Sequence, residues 1–90
     1  MATLTIISKP DCHLCDVARE IVDLVVAERP DGDVDVEELS IADDPALYAQ
    51  WWEKIPVVLI DGQLHGHWRV SPDRLRIALN DTVGAGEEAE

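Results

Sequence analysis

The chain is 90 residues long, enough for one small domain with a modest hydrophobic core. Its 19 acidic and 7 basic residues give a net charge of −12, and a surface this acidic repels phosphate backbones and anionic lipids. Nucleic-acid and membrane partners are therefore disfavoured. No apolar run is long enough to span a membrane, and no basic segment followed by an apolar stretch marks a leader. We expect a monomeric, cytoplasmic protein.

The chain opens with a predicted strand and a predicted helix. Residues 3–8 are β-branched and apolar, which indicates a buried strand, and residues 9–11 form a loop after it. From residue 13 to residue 29 apolar side chains recur at helical spacing, and charged side chains take the opposite face. The segment 30–33, with its proline and glycine, ends this amphipathic helix.

Three further strands and two helices are predicted after this helix. They lie at residues 34–39 (strand), 45–52 (helix), 55–60 (strand), 63 to about 69 (strand) and 71 to about 79 (helix). The first strand–helix–strand unit predicts parallel pairing through a right-handed crossover. Asp61-Gly62 is a hairpin signal, so the last two strands should pair antiparallel. We expect one domain over residues 1–80, followed by a loose acidic tail at 81–90.

The two cysteines of the chain stand as Cys12-His13-Leu14-Cys15, at the start of the first helix. The amino end of a helix carries partial positive charge, which favours a thiolate there. A thiolate attacks disulfides, and a vicinal pair in a reducing compartment is typical of redox chemistry. The alternatives are two ordinary core residues or half of a metal site.

The order of elements, together with Cys12-His13-Leu14-Cys15 and Ile55-Pro56-Val57, resembles the thioredoxin fold. This is an α/β fold with a four-stranded mixed sheet and three helices in the order βαβαββα. The size is closest to glutaredoxins, and the run from Lys9 to Cys15 resembles small bacterial glutaredoxin-like proteins. The resemblance covers residue 3 to about residue 80.

The resemblance implies a cis peptide bond before Pro56, which would face the cysteines. A cis bond is accessible essentially only before proline, and it would let Ile55 present its amide and carbonyl to an extended substrate. The alternative is a trans proline at the edge of a strand.

The expected activity is that of a thiol–disulfide oxidoreductase. Cys12 lies at the exposed entrance of the helix and should attack, whereas Cys15, one turn further in, should resolve the mixed disulfide. Lys9 and a protonated His13 would favour the thiolate of Cys12. The alternative for both is an exposed residue with no role.

The hairpin extends the predicted site. Counting back from Asp61-Gly62 pairs Pro56 with His67, which places His67, Trp68 and Arg69 near the cysteines. Trp68 would then form an apolar wall of the substrate groove and Arg69 would bind a carboxylate. The alternative is that Trp68 covers core and Arg69 is solvated. Of the adjacent Trp51 and Trp52, one should be core and the other exposed.

The expected partners are a disulfide-containing protein or a low-molecular-weight thiol such as glutathione, with no bound cofactor. Glutaredoxins that bind glutathione carry a Gly-Gly pair and an Asp before the last helix, whereas this chain reads Arg69-Val70-Ser71-Pro72-Asp73 there. Glutathione thus remains open as reductant or co-substrate.

Two competing functions use the same fold. A metal-binding protein would ligate zinc through Cys12, Cys15, His65 and His67, although the predicted pairing places His65 away from the cysteines. The other alternative is a redox-inactive interaction module, for which an exposed tryptophan is the visible support.

Overall fold

A computed structural model describes residues 2–30 and 32–88, with side chains as far as residue 81. The elements are β1 (Ala2–Ser8), α1 (His13–Ala27), β2 (Val34–Ser40), α2 (Pro45–Trp51), β3 (Val57–Ile60), β4 (Gln63–His67) and α3 (Pro72–Glu88). This is the predicted order. None of the helices within these residues combines the length and the apolar character needed to cross a membrane.

The four strands form one mixed sheet in the order β2-β1-β3-β4. β1 pairs parallel with β2, as the strand–helix–strand unit predicts, while β3 runs antiparallel to both β1 and β4. The turn Asp61-Gly62 joins β3 to β4 with positive φ at both residues, which suits a two-residue hairpin. The predicted α/β fold with a four-stranded mixed sheet and three helices is confirmed.

Two hydrophobic clusters hold the helices to the sheet, because successive strand residues point to opposite faces. The larger cluster joins α1 and α3 to β1 and β3. It consists of Leu4, Ile6, Ala18, Val22, Val25, Val34, Val58, Ile60, Val70, Leu75 and Leu79. The smaller one takes in Cys15, with Cys12 and α2 packed against it. Its buried members are Ile7, Cys15, Ile41, Ile55 and Val57.

The register of the hairpin differs from the predicted one. Ile60 pairs with Gln63 as expected, but a bulge between Val58 and Leu59 leaves His65 as an extra residue on β4. His67 therefore pairs with Val57, and the prediction that it pairs with Pro56 is wrong. Counting by twos cannot detect an inserted residue.

The ends of several elements also differ from the predicted bounds: α1 ends at Ala27 and not at residue 29, and β4 ends at His67 and not near residue 69. β3 starts at Val57 and not at residue 55. α3 continues to Glu88, so the backbone of residues 81–88 is helical where a loose tail is predicted. Residues 89–90 lie outside the described residues.

Candidate active site

Cys12 and Cys15 lie where β1 passes into α1, and their sulfurs are at disulfide-bonding distance. Cys12 is the N-cap of α1, with extended backbone angles, and its Sγ accepts a hydrogen bond from the Cys15 amide at 3.2 Å. A sulfur in this position receives one of the amide groups that a helix start leaves unpaired, which stabilises a thiolate.

The two sulfurs differ in access to solvent. Cys12 is half-buried, whereas Cys15 is only 1% exposed and belongs to the smaller hydrophobic cluster. An incoming disulfide can therefore reach Cys12 but not Cys15. This is the asymmetry that separates an attacking thiol from a resolving one.

The loop that precedes β3 adjoins the cysteines. The peptide bond between Ile55 and Pro56 is cis, as the resemblance implies. Ile55 packs in the same cluster as Cys15. Within residues 2–30 and 32–88, the amide and carbonyl of Ile55 make no backbone hydrogen bond. They are thus left available to an extended chain laid beside them.

A polar pocket of about 410 Å³ opens beside Cys12 and is lined by Lys9 and Arg19 among others. Arg19 donates hydrogen bonds to Glu38 and Asp16, and the buried Ser8 hydroxyl donates to Glu38 at 2.8 Å. The hydrogen bond from Arg19 holds the pKa of Glu38 below its usual range. Sequence patterns alone did not reveal this network, because its members come from three separate elements.

The segment after β4 lies level with Pro56. The Trp68 amide donates to the Pro56 carbonyl at 2.9 Å, and the Trp68 indole Nε1 donates to the Glu53 carbonyl at 2.8 Å. Trp68 has a positive φ of 63° and is 55% exposed, so its ring does not cover core. The His67 ring centroid lies 4.7 Å from that of Trp68, and Arg69 is exposed.

The family profile of the glutaredoxin-like domain (DUF836) matches residues 3–80. The chain belongs to this glutaredoxin-like family. Uncharacterized proteins of Mycobacterium tuberculosis and Mycobacterium bovis are 32% identical to it over 73 residues, which is 79% of this chain and 75% of each relative. The family profile, over residues 3–80, spans both cysteines and Ile55-Pro56.

Solved structures of similar fold agree with this family assignment. A structural-genomics target protein from X. campestris is 30% identical in its crystal structure, with a TM-score of 0.68 over 86% of this chain and 95% of that one. A thioredoxin variant from Halobacterium salinarum, 19% identical, reaches a TM-score of 0.61 over 89% of this chain and 73% of that one. The glutaredoxin-like chain therefore has the thioredoxin fold.

An apolar groove of about 250 Å³ begins at Leu14, within the Cys12–Cys15 motif of this glutaredoxin-like protein. Leu14, Val17 and Ile21 of α1 form one side, and Trp68 and Arg69 lie on the other. The helical spacing predicts that these α1 residues belong to one apolar face. That face is wider than the surface that the sheet and α3 cover. Leu14 and Val17 are left 43% and 38% exposed.

The adjacent tryptophans of α2 divide as predicted. Trp51 packs against the cluster that contains Cys15, whereas Trp52 is 52% exposed and stacks on Tyr48 with ring centroids 6.2 Å apart. Trp51 is thus an intrinsic fluorophore packed against the cluster that contains Cys15.

The four zinc ligands considered from the sequence do not form a cluster. Within the described part of the chain, no three Cys, His, Asp or Glu side chains are grouped closely enough to hold a metal ion. His65 instead faces Arg74 and Ile77 of α3. Burial, and secondarily the charge of Arg74, lowers the pKa of His65 below its ordinary value.

Proposed function

We propose that this glutaredoxin-like protein is a thiol–disulfide oxidoreductase that acts through the Cys12–Cys15 pair. The observation that carries the proposal is the asymmetry of the two sulfurs. Cys12 is accessible and caps α1 with its Sγ, whereas Cys15 is buried one turn further along, at disulfide-bonding distance. An accessible thiolate with a buried resolving thiol is what disulfide exchange requires.

The reduced protein reacts in two exchange steps. The Cys12 thiolate attacks one sulfur of a substrate disulfide, the substrate S–S bond breaks, and the other substrate sulfur leaves as a thiolate. The Cys15 thiol then loses its proton and attacks Cys12 Sγ, which expels the second substrate thiolate. Two electrons pass to the substrate, two protons complete its thiols, and the protein is left with the Cys12–Cys15 disulfide.

The remaining candidate residues are assigned to substrate binding. Ile55, held by the cis bond before Pro56, offers its free amide and carbonyl to an extended substrate. Lys9 shares the polar pocket with Cys12, and its positive charge favours the thiolate there. His13 is the exposed first residue of α1, and in its protonated form it adds a second positive charge.

The second wall of the substrate groove comes from the segment after β4. Trp68 and Arg69 line the groove that starts beside Leu14, and His67 stands against the Trp68 ring. In this role Trp68 provides apolar contact area and Arg69 binds a carboxylate, as proposed from the sequence.

The partner in this proposal is a disulfide-containing protein or a low-molecular-weight disulfide, and a low-molecular-weight thiol such as glutathione reduces the protein again. A vicinal thiol pair of this kind suits the reducing cytoplasm. The protein acts as a monomer and needs no bound cofactor, because the two sulfurs themselves carry the electrons.

A redox titration tests the proposal. The purified protein is equilibrated in buffers of defined thiol-to-disulfide ratio, and tryptophan fluorescence and cysteine alkylation are read at each point, alongside metal analysis. We expect reversible oxidation of one dithiol and faster alkylation of Cys12 than of Cys15. Stoichiometric zinc with unreactive thiols, or sulfurs that do not titrate, would overturn it in favour of a metal-binding protein or an interaction module. Turnover with glutathione and glutathione reductase then tests the reductant.

A further inference from the structure

The amino-terminal half of α1 exposes aliphatic side chains that its amphipathic pattern would ordinarily bury. Leu14 and Val17 are 43% and 38% exposed, and together with Ile21 they recur every three to four residues along one edge of the helix. This edge faces the half-exposed ring of Trp68 across the groove of about 250 Å³. Concave apolar surface of this kind is typical of a binding site.

The groove begins next to the cysteine motif in the chain and next to the cis-proline loop. Leu14, which lines it, lies in the chain between His13 and Cys15. Trp68 on the opposite side is fixed to the cis-proline loop by its amide hydrogen bond to the Pro56 carbonyl. A chain whose cysteine reaches Cys12 can therefore lay its neighbouring residues in the groove.

One charge restricts what the groove accepts. Arg69 is the one charged residue among the groove-lining residues, and it forms no salt bridge to any of the side chains that the structure describes. The chain as a whole carries a net charge of −12. A lone exposed arginine within apolar walls is complementary to a carboxylate carried by an otherwise aliphatic segment.

We infer that the groove docks an aliphatic segment of a substrate protein, adjacent to the disulfide cysteine and carrying one carboxylate that pairs with Arg69. This inference rests on the proposed disulfide exchange and specifies its substrate class. The segment packs on Val17, Ile21 and Trp68, and these contacts favour such a protein over a small polar disulfide.

Matched peptides test the inference. Two single-cysteine peptides are each oxidised to their symmetric disulfide, one with Leu and Val on both sides of the cysteine and one with Ser and Thr, both with a terminal Glu. Reduction by the dithiol protein is followed by quenched alkylation and mass spectrometry. The aliphatic peptide should react about tenfold faster, which corresponds to burial of one or two aliphatic side chains.

Variants locate the preference in the groove. Val17→Ser should lower the ratio of the two rates about threefold, since it removes one apolar contact. Leu24→Ser is the matched control, because Leu24 is also an exposed aliphatic residue of α1 but does not line the groove; it should keep the wild-type ratio. Arg69→Gln should abolish an about threefold preference for the Glu form of the aliphatic peptide over its Gln form.

The possible results distinguish docking in the groove from the disulfide exchange on which it depends. Equal rates for the two peptides, or a ratio that Val17→Ser and Leu24→Ser lower alike, would overturn the groove while leaving disulfide exchange intact. Failure to reduce either peptide would overturn both. A wild-type dimer that Val17→Ser converts to a monomer in analytical ultracentrifugation would show that the groove binds a second copy, and the substrate assignment would be wrong.

Discussion

Trp68 has a backbone φ of 63°, in the left-handed region that glycine adopts without penalty and other residues do not. Its ring is 55% exposed, so it hides less than half of the roughly 200 Å² that a tryptophan presents. Replacing it by Ala loses about 2 kcal/mol of apolar burial and at most about 1 kcal/mol from the indole hydrogen bond to the Glu53 carbonyl.

Replacing Trp68 by Gly loses the same contacts but relieves the backbone. The left-handed conformation costs a residue with a Cβ about 1–2 kcal/mol, and glycine avoids this cost. The greater entropy of glycine in the unfolded chain offsets roughly 0.5–1 kcal/mol of that gain. We therefore expect Trp68→Ala to lower the free energy of unfolding by about 2–3 kcal/mol, and Trp68→Gly to lower it by about 1 kcal/mol less.

Urea unfolding followed by circular dichroism measures both variants, and Leu24 provides the control. Leu24 is similarly exposed, at 57%, but lies within α1, where Gly should be less stable than Ala by about 0.5–1 kcal/mol. The order of the two substitutions should thus reverse between the two positions. If the Gly variant is also the less stable one at position 68, the backbone of Trp68 is not strained.

Two pH dependences follow from shifted pKa values. Because the Arg19 hydrogen bond lowers the pKa of Glu38, the stabilisation is present above the ordinary Glu pKa of 4.5 and is lost as pH falls through the folded value. Glu38→Gln should flatten the acid limb of the urea midpoint against pH, by under about 1 kcal/mol for so exposed a pair; parallel limbs would contradict this. Because burial lowers the pKa of His65, the unfolded chain binds the proton first, and stability should fall as pH drops below the ordinary His value of 6.5. His65→Gln should remove part of that fall, and an unchanged slope between pH 7 and pH 5 would show that His65 is not its source.

Most of the fold could be predicted from local patterns. The amphipathic spacing of α1 and the Asp61-Gly62 turn each determine the structure within a few residues, and both predictions are confirmed. The bulge that leaves His65 unpaired could not be predicted, because it arises from the pairing of β4 with β3 and has no distinctive sequence pattern. The continuation of α3 beyond residue 80 could not be predicted either, because Thr82, Val83 and two glycines in this segment are poor helix formers.

The candidate site divides in the same way. The cysteine pair is predicted from a short local motif, and the cis bond before Pro56 is predicted from the resemblance to the thioredoxin fold. The groove beside Val17 depends on how much of α1 the sheet and α3 cover, which is a property of packing and not of periodicity. The network around Glu38 joins side chains from β1, α1 and β2, so only the assembled fold brings it together.

The roles of the two cysteines, Cys12 attacking and Cys15 resolving, are tested by mixing Cys15→Ser and Cys12→Ser separately with an oxidised peptide disulfide. The products are weighed by mass spectrometry without reductant. We expect Cys15→Ser to accumulate a stable mixed disulfide on Cys12, and Cys12→Ser, whose remaining sulfur is 1% exposed, to stay unmodified. Equal labelling of both variants, or a mixed disulfide found on Cys15 alone, would show that these roles are wrong.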